Sequence, residues 1–217
     1  MKNELRNIIS GKSEVSDGAT IQAITRYLKR GTSASRVAKE EKHYKEKEAE
    51  DLKKYITENN LWLPEVNIEE YVSEGAEQKV YLKDDKYVLK LNDAIYYDAW
   101  EDYLNNLLLH NFFFPDTAYE LIGFVEETKK EEDKEDKIIL YAVVKQPFVK
   151  ATAPTDLQAV KDFLGNNGFL NKKRDDYHHP DLGIILEDLH DENVLTKDGM
   201  LLFIDTVFYI EDKFYND

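Results

Sequence analysis

The sequence predicts an α+β fold with a helical N-terminal extension. Three observations predict it. Residues 1–60 combine helical periodicity with dense charge. From residue 66 the pattern turns to strands, with one clear amphipathic helix among the first five. A short polar loop then sits inside a β-hairpin region near the C-terminal end. The change of pattern divides the chain into an extension, 1–60, and a domain, 61–217.

In the extension, Ile21, Ile24 and Leu28 recur near the helical period, and Gly31 stops that helix. Thr32 or Ser33 can cap the next one, which continues over 37–59. Its charges alternate, as in Lys39-Glu40-Glu41-Lys42. Its apolar positions are sparse: Val37, Tyr44, Leu52, Tyr55 and Ile56. This predicts a long, largely solvated helix supported by i,i+4 ion pairs. It docks at its C-terminal end, where Leu61-Trp62-Leu63-Pro64 closes the unit.

In the domain, strands are expected over 66–73, 78–83 and 87–91, the last two joined by Asp84-Asp85-Lys86. A helix begins at Asp93, runs to about His110, and Pro115 ends the segment. Strands follow over 119–126 and 138–144, separated by a charge-rich loop, 127–137. Gln146-Pro147-Phe148-Val149 breaks the regular structure, because Pro147 cannot donate to a ladder. Thr155 can cap a helix ending near Leu164. Short strands are expected over 183–186, 194–196 and 201–204, with Lys197-Asp198-Gly199 as the turn between the last two. No internal repeat is present.

Composition narrows the function. Acidic residues outnumber basic ones, 44 to 29, giving a net charge of −15. Such a chain repels phosphate backbones, so direct nucleic-acid binding is not expected. It also lacks the basic excess that draws proteins to anionic membranes. A nucleotide bound here needs a metal ion and a few placed lysines. There is no cysteine, which excludes disulfides, thiolate zinc sites and cysteine nucleophiles. The longest apolar stretches, Leu107-Leu108-Leu109 and Phe112-Phe113-Phe114, are too short to span a bilayer. The start, Met1-Lys2-Asn3-Glu4-Leu5, has no apolar signal region, so a cytoplasmic location is expected.

The chemistry-bearing residues come late in the chain. The polar loop is Asp188-Leu189-His190-Asp191-Glu192-Asn193, between Ile184-Ile185-Leu186 and Val194-Leu195. Asp205 then follows the apolar run Leu201-Leu202-Phe203-Ile204. A carboxylate there is costly to bury without a cation or hydrogen bonds. Upstream, Tyr87-Val88-Leu89-Lys90 places a lysine in a strand, and Glu74-Gly75-Ala76-Glu77 precedes Gln78-Lys79-Val80-Tyr81.

Asp-Leu-x-x-x-Asn, then a hairpin, then a strand-terminal Asp resembles the catalytic and metal-binding loops of the protein-kinase-like fold. The Asp188-Leu189-His190 wording is similar to that of aminoglycoside-phosphotransferase-like kinases, and Tyr87 to Lys90 resembles the V-A-I-K strand. Gly75 to Tyr81, Gln146 to Val149, Asp188 to Leu195 and Ile204-Asp205 together most resemble one group. That group is the kinase-like domain of polyvalent proteins from bacterial mobile elements and phages. The likeness covers residues 60–210. It implies a minimal protein-kinase-like fold: a five-stranded antiparallel N-lobe sheet with one helix, and a truncated C-lobe.

The resemblance also implies roles. Phosphoryl transfer needs positioning and charge neutralisation more than covalent chemistry. Asn193 and Asp205 would give Mg²⁺ the oxygen ligands it prefers. Asp188 would orient the acceptor hydroxyl and take its proton. Lys90 would contact the α- and β-phosphates of ATP, and Gly75 would let the backbone approach them. Glu101 would hold Lys90, with Asp98 as the competitor. The acceptor would be a protein or a small molecule. Transfer of a nucleotidyl group instead of a phosphoryl group is a further reading.

The sequence departs from active kinases in places. Leu186 and Glu187 stand where H-R-D has His and Arg, and Asp205-Thr206-Val207 replaces D-F-G. One glycine serves the phosphate-covering loop, and no A-P-E signature follows Asp205. A non-catalytic nucleotide-binding or protein-interaction module is therefore the alternative. Two weaker signals drop out. Ser10-Gly11-Lys12-Ser13 mimics a P-loop end but lacks its first glycine and its strand. His178-His179 lacks a third ligand at metal-site spacing and reads as a loop.

Overall fold

The computed structural model describes residues 1–32, 41–64, 71–74, 78–129 and 136–216. It is α+β with antiparallel sheets, and it divides into two compact units. One comprises 23–103 and 119–148, the other 1–22, 104–118 and 149–217.

The first unit is built on a five-stranded antiparallel sheet. Its strands are β1 (Tyr71–Glu74), β2 (Gln78–Leu82), β3 (Tyr87–Asn92), β4 (Glu120–Lys129) and β5 (Lys137–Pro147), in the order β1-β2-β3-β5-β4. Tyr81, Leu89, Leu91, Tyr141 and Val143 form one core cluster against it. The β2–β3 turn is the expected one, with Asp84 Oδ1 accepting from the Lys86 and Tyr87 amides at 2.8 and 2.9 Å. The expected 66–70 part of the first strand lies outside the described residues. The 127–137 segment differs from the expected loop: pairing continues through Thr128↔Ile138 and Lys129↔Lys137. Ladder pairing with a partner outweighs the low strand propensity of charged residues here. Pro147 closes β5 opposite Tyr87, at the strand end where its missing donor costs nothing.

Two helices precede the sheet, α2 (Ala19–Thr32) and α3 (Glu41–Glu58). In this unit Tyr27 and Tyr55 join them, ring to ring, at 4.8 Å. Leu52 and Ile56 are fully buried. The chain then runs alongside β4: Leu63 N donates to Phe124 O and Phe124 N to Leu61 O, both at 2.9 Å. Gly123 is required there, since a Cβ would stand 2.6 Å from the Leu61 carbonyl oxygen. α3 is less solvated than the sequence predicts, because Glu48 is also buried.

α4 (Trp100–Phe113) starts seven residues later than its periodicity suggests. Asn92 Oδ1 and Asp93 Oδ1 accept from the Ala94 and Ile95 amides at 2.7 and 3.1 Å. These Asx turns, with Ala94 at φ 55°, hold 93–99 out of the helix. The first turn of α4 belongs to this unit and Leu104 onward to the other.

The second unit contains α1 (Lys2–Ile9), α5 (Leu157–Asn166), α6 (Asp212–Tyr215) and two small sheets. The four-stranded sheet has β6 (Leu170–Lys173), β7 (Asp176–His179), β8 (Ile184–Glu187) and β11 (Val207–Ile210) in the order β11-β8-β7-β6. The hairpin is β9 (Val194–Lys197) with β10 (Met200–Phe203). β6, β7 and β11 are strands the sequence does not announce. β6 is exposed at every position, so it carries no apolar alternation. His178 and His179 are in β7 rather than a loop. Neighbours on a strand point to opposite faces, so they do not converge.

Leu5, Ile9, Leu109, Phe114, Phe203, Phe208 and Phe214 share this unit's core. α1 adds Leu5, Ile8 and Ile9, spaced for one helical face. Its Lys2 Nζ donates to Lys213 O and Asn216 O at 2.8 and 3.0 Å, and Arg6 Nε to Phe214 O at 2.7 Å. Asp156, not Thr155, caps α5 by accepting from Gln158 N at 2.9 Å. Thr155 instead donates to Val194 O at 2.6 Å. On α4, Asn105 Oδ1 is buried without a hydrogen-bond partner. Asn105→Leu is therefore expected to stabilise the protein by about 1 kcal/mol, read by denaturant titration. A loss instead would show that the amide has a task in the folded state.

Candidate functional site

The polar loop is wound by its own side chains. Asp188 takes a left-handed backbone, φ 67°, just past the end of β8. Asn193 Nδ2 donates to its carbonyl at 2.8 Å and to its Oδ2 at 2.9 Å. His190 Nε2 stands 3.4 Å from Asp188 Oδ1. Leu189 turns inward and is buried in the core. The side chain of Asn193 is thereby oriented: its nitrogen faces Asp188, which leaves Oδ1 as its uncommitted acceptor.

The β9–β10 hairpin brings Asp205 to the same place. Val194 pairs with Phe203, so the residues just beyond meet next. Asn193 O accepts from Ile204 N at 2.9 Å and from Asp205 N at 3.3 Å. Asp188, Asn193 and Asp205, far apart in motif terms, are thus one cluster. The neighbourhood is acidic. Burial first, then Asp176 and Asp188, push the Glu187 carboxyl above the usual carboxylate range. Among the described residues no three His, Asp or Glu side chains converge as a metal site. One Asp, one Asn amide oxygen and phosphate oxygens suit Mg²⁺ without such a cluster.

Sequence reasoning missed the buried support under Asp205. His110 of α4 places Nε2 2.9 Å from Thr117 O and Nδ1 2.7 Å from Thr206 Oγ1. A carbonyl only accepts, so Nε2 carries the proton and Thr206 donates to Nδ1. Thr117 Oγ1 donates to Phe203 O at 2.5 Å. Asn106 Oδ1 accepts from Phe208 N at 2.9 Å. The backbone on both sides of Asp205 is held this way. The signal was available: His110 and Asn106 interrupt an apolar helix, and buried polar groups need partners.

The other candidates are in the first unit. Lys90 lies mid-β3, opposite Val80 and Val144, and is only 4% exposed. Its Nζ lies 5.4 Å from the Tyr119 ring centroid. Burial at that depth sets it apart from a solvated strand lysine. Glu101 is in the first turn of α4 and 5% exposed, with Lys29 Nζ 3.5 Å from its Oε1. Asp98 is exposed and precedes the helix. Gly75 lies outside the described residues.

Glu48 of α3 is the second residue the sequence hides. It is 3% exposed and accepts from Trp100 N and Glu101 N. Burial raises its carboxyl to about 7, against the pull of those two amides. A charged run gives no sign that one of its members is a core residue.

No curated protein and no solved structure matches the chain. A family model does match, over residues 45–212, beginning at the turn of α3 that carries Lys45 and Glu48 and ending beyond Asp205. With more than half of its residues inside that match, the chain belongs to the family of serine/threonine/tyrosine kinases found in polyvalent proteins.

Proposed function

We propose that this chain is an ATP- and magnesium-dependent phosphotransferase acting on a hydroxyl of a protein or small-molecule acceptor. The observation that carries the reading is the joining of Asn193 and Asp205 through the Asn193 carbonyl, with Asn193 Oδ1 left as an acceptor. Two residues that carry hard oxygen donors, joined through the backbone in an acidic neighbourhood, fit a divalent cation. Mg²⁺ there would neutralise phosphate charge on the bound nucleotide. Lys90 would bind phosphate oxygens, Glu101 would hold Lys90, and Gly75 would let the backbone approach the phosphates. Asp188 would hold the acceptor hydroxyl and receive its proton. The charge balance argues against a nucleic-acid or membrane partner, and a cytoplasmic location is part of the same reading. Among the described residues, no helix is long and apolar enough to cross a membrane.

One observation favours a second reading, a non-catalytic nucleotide-binding or interaction module. Residues 207–210, which follow Asp205-Thr206, form strand β11 against β8 rather than an activation segment. Thermal melts with ATP and Mg²⁺ test nucleotide binding in both readings. Ligand at about 100 times its Kd adds roughly 2.7 kcal/mol, or about 5–10 °C for a chain of this size. That rise is expected in wild type and not in Asp205→Ala, which should fold normally. An equal magnesium-dependent rise in both proteins would remove Asp205 from the metal site. Product mass then separates phosphoryl from nucleotidyl transfer, and a binding protein that yields no product is the module.

A further inference from the structure

α4 begins without a cap of its own. The residue at its N-cap position is Ala99, whose carbonyl accepts the first helical amide, that of Tyr103, at 3.4 Å. Its methyl side chain offers no oxygen to the amides that follow. Those amides are taken by a residue about 50 positions away in sequence. Trp100 N donates to Glu48 Oε2 at 2.6 Å and Glu101 N to Glu48 Oε1 at 3.1 Å. One carboxylate thus satisfies two of the amides that a helix start leaves free, at the positive end of the helix dipole. Three residues earlier on the same face of α3, Lys45 Nζ donates to Ala94 O at 2.7 Å and Tyr97 O at 2.5 Å. Those carbonyls belong to the irregular stretch that leads into α4. α2 adds Lys29, beside Glu101 Oε1.

We propose that Glu48, seconded by Lys45, is a positioning residue: it builds the first turn of α4 from outside and so fixes the direction in which Glu101 points. Glu101's part in nucleotide binding rests on the phosphotransferase reading; the capping does not. The consequence is that α3, charged and thin in apolar residues, is part of the working domain. A charged run is what such a device needs, because a helix start and two bare carbonyls are recognised by a carboxylate and an ammonium, not by leucines.

Amide hydrogen exchange on the full chain without nucleotide tests the cap. Glu48→Ala is expected to speed exchange at Trp100 and Glu101 about tenfold, in line with the loss of an ordinary cap. Ala99→Ser, added to that variant, gives the helix a local cap and is expected to slow exchange again. The same two proteins are then titrated with ATP and Mg²⁺. Affinity is expected to fall about tenfold in Glu48→Ala and to recover in the double variant, a rescue that lost packing would not show. Unchanged exchange in Glu48→Ala overturns the cap. Altered exchange with wild-type affinity overturns the positioning role. If wild type itself binds no ATP, the phosphotransferase reading fails and Glu101's role with it, while exchange still decides the cap.

Should Glu48→Ala not fold, Glu48→Gln keeps the size and one acceptor oxygen, and the pH dependence decides. The carboxyl is raised from 4.5 to about 7. Glu101 and Asp102 face it from α4, Lys45 shares its α3 face with Asp93 and Asp98 close by, and Lys29 reaches Glu101 from α2. The folded chain therefore holds this proton more tightly than the unfolded one. Its stabilising contribution is full below about pH 4.5 and is lost as pH rises through about 7. Wild type is expected to lose melting temperature relative to Glu48→Gln as pH rises from about 5 to 8. Parallel pH curves together with wild-type exchange at Trp100 and Glu101 in Glu48→Gln would overturn the cap.

Discussion

Asp188→Ala is expected to slow ATP turnover by about 10²–10⁴-fold while leaving the affinity for ATP and Mg²⁺ within about twofold of wild type. The separation of the two effects follows from the loop. Asp188 contributes a carboxylate that faces Asn193, whereas the proposed metal ligands are Asn193 Oδ1 and Asp205. The link that holds Asp205 beside Asn193 runs through the Asn193 backbone carbonyl, and Asn193 Nδ2 keeps its bond to the Asp188 backbone carbonyl when the side chain is removed. Water can serve as acceptor, so hydrolysis of ATP is a sufficient readout. Asp188→Asn makes the test sharper: it keeps an acceptor for Asn193 Nδ2 but removes the base. It should bind like wild type and turn over like the alanine variant. Wild-type turnover in either variant would take Asp188 out of the mechanism.

Phe203→Ala is expected to cost about 3–5 kcal/mol of stability, a large part of what a domain of this kind has. Phe203 is buried and stacks on Phe114 at 4.0 Å with 13° between ring planes, and Phe163 lies 5.6 Å away. Phe203 lines an open pocket of about 560 Å³, together with Phe114, Phe163 and Leu201 among others. Phe203 also stands two residues before Asp205, and its carbonyl takes the Thr117 hydroxyl. Magnesium-dependent nucleotide binding should therefore weaken with stability. Denaturant unfolding gives the first number and titration the second. A cost below about 1 kcal/mol would show that the ring is not an anchor of this core.

The two parts of the candidate site were unequally legible. Asp188, Asn193 and Asp205 are singled out by the resemblance of their motif; that they lie together is legible because a hairpin of four-residue strands joins them and its turn, Lys197-Asp198-Gly199, is written in the sequence. Glu48 could not be singled out, because its partners are backbone amides about 50 residues away, and backbone amides have no sequence. The same holds for His110, whose partners are Thr117 and Thr206. In the fold, β2, β3, β9 and β10 follow from alternation and turns. β6 and β7 do not, since ladder pairing, β6 with β7 and β7 with β8, rather than apolar content makes them strands. The start of α4 was misplaced because periodicity sees the apolar residues of 93–99 and not the Asx turns that unwind them.

The ties between α1 and the last residues bear on the order in which the chain is made. Leu5 and Ile9 find their apolar partners partly in Phe203, Phe208 and Phe214, and Lys2 and Arg6 find theirs in the carbonyls of 213–216. The sheet unit is complete once residue 148 has left the ribosome. The unit with Asp188, Asn193 and Asp205 must instead wait for its last segment. At about 5–20 residues per second, α1 waits roughly 10–40 s for these late partners. During synthesis its apolar face is available to a chaperone, and the cluster around Asp188 is assembled only after the sheet unit has had time to fold.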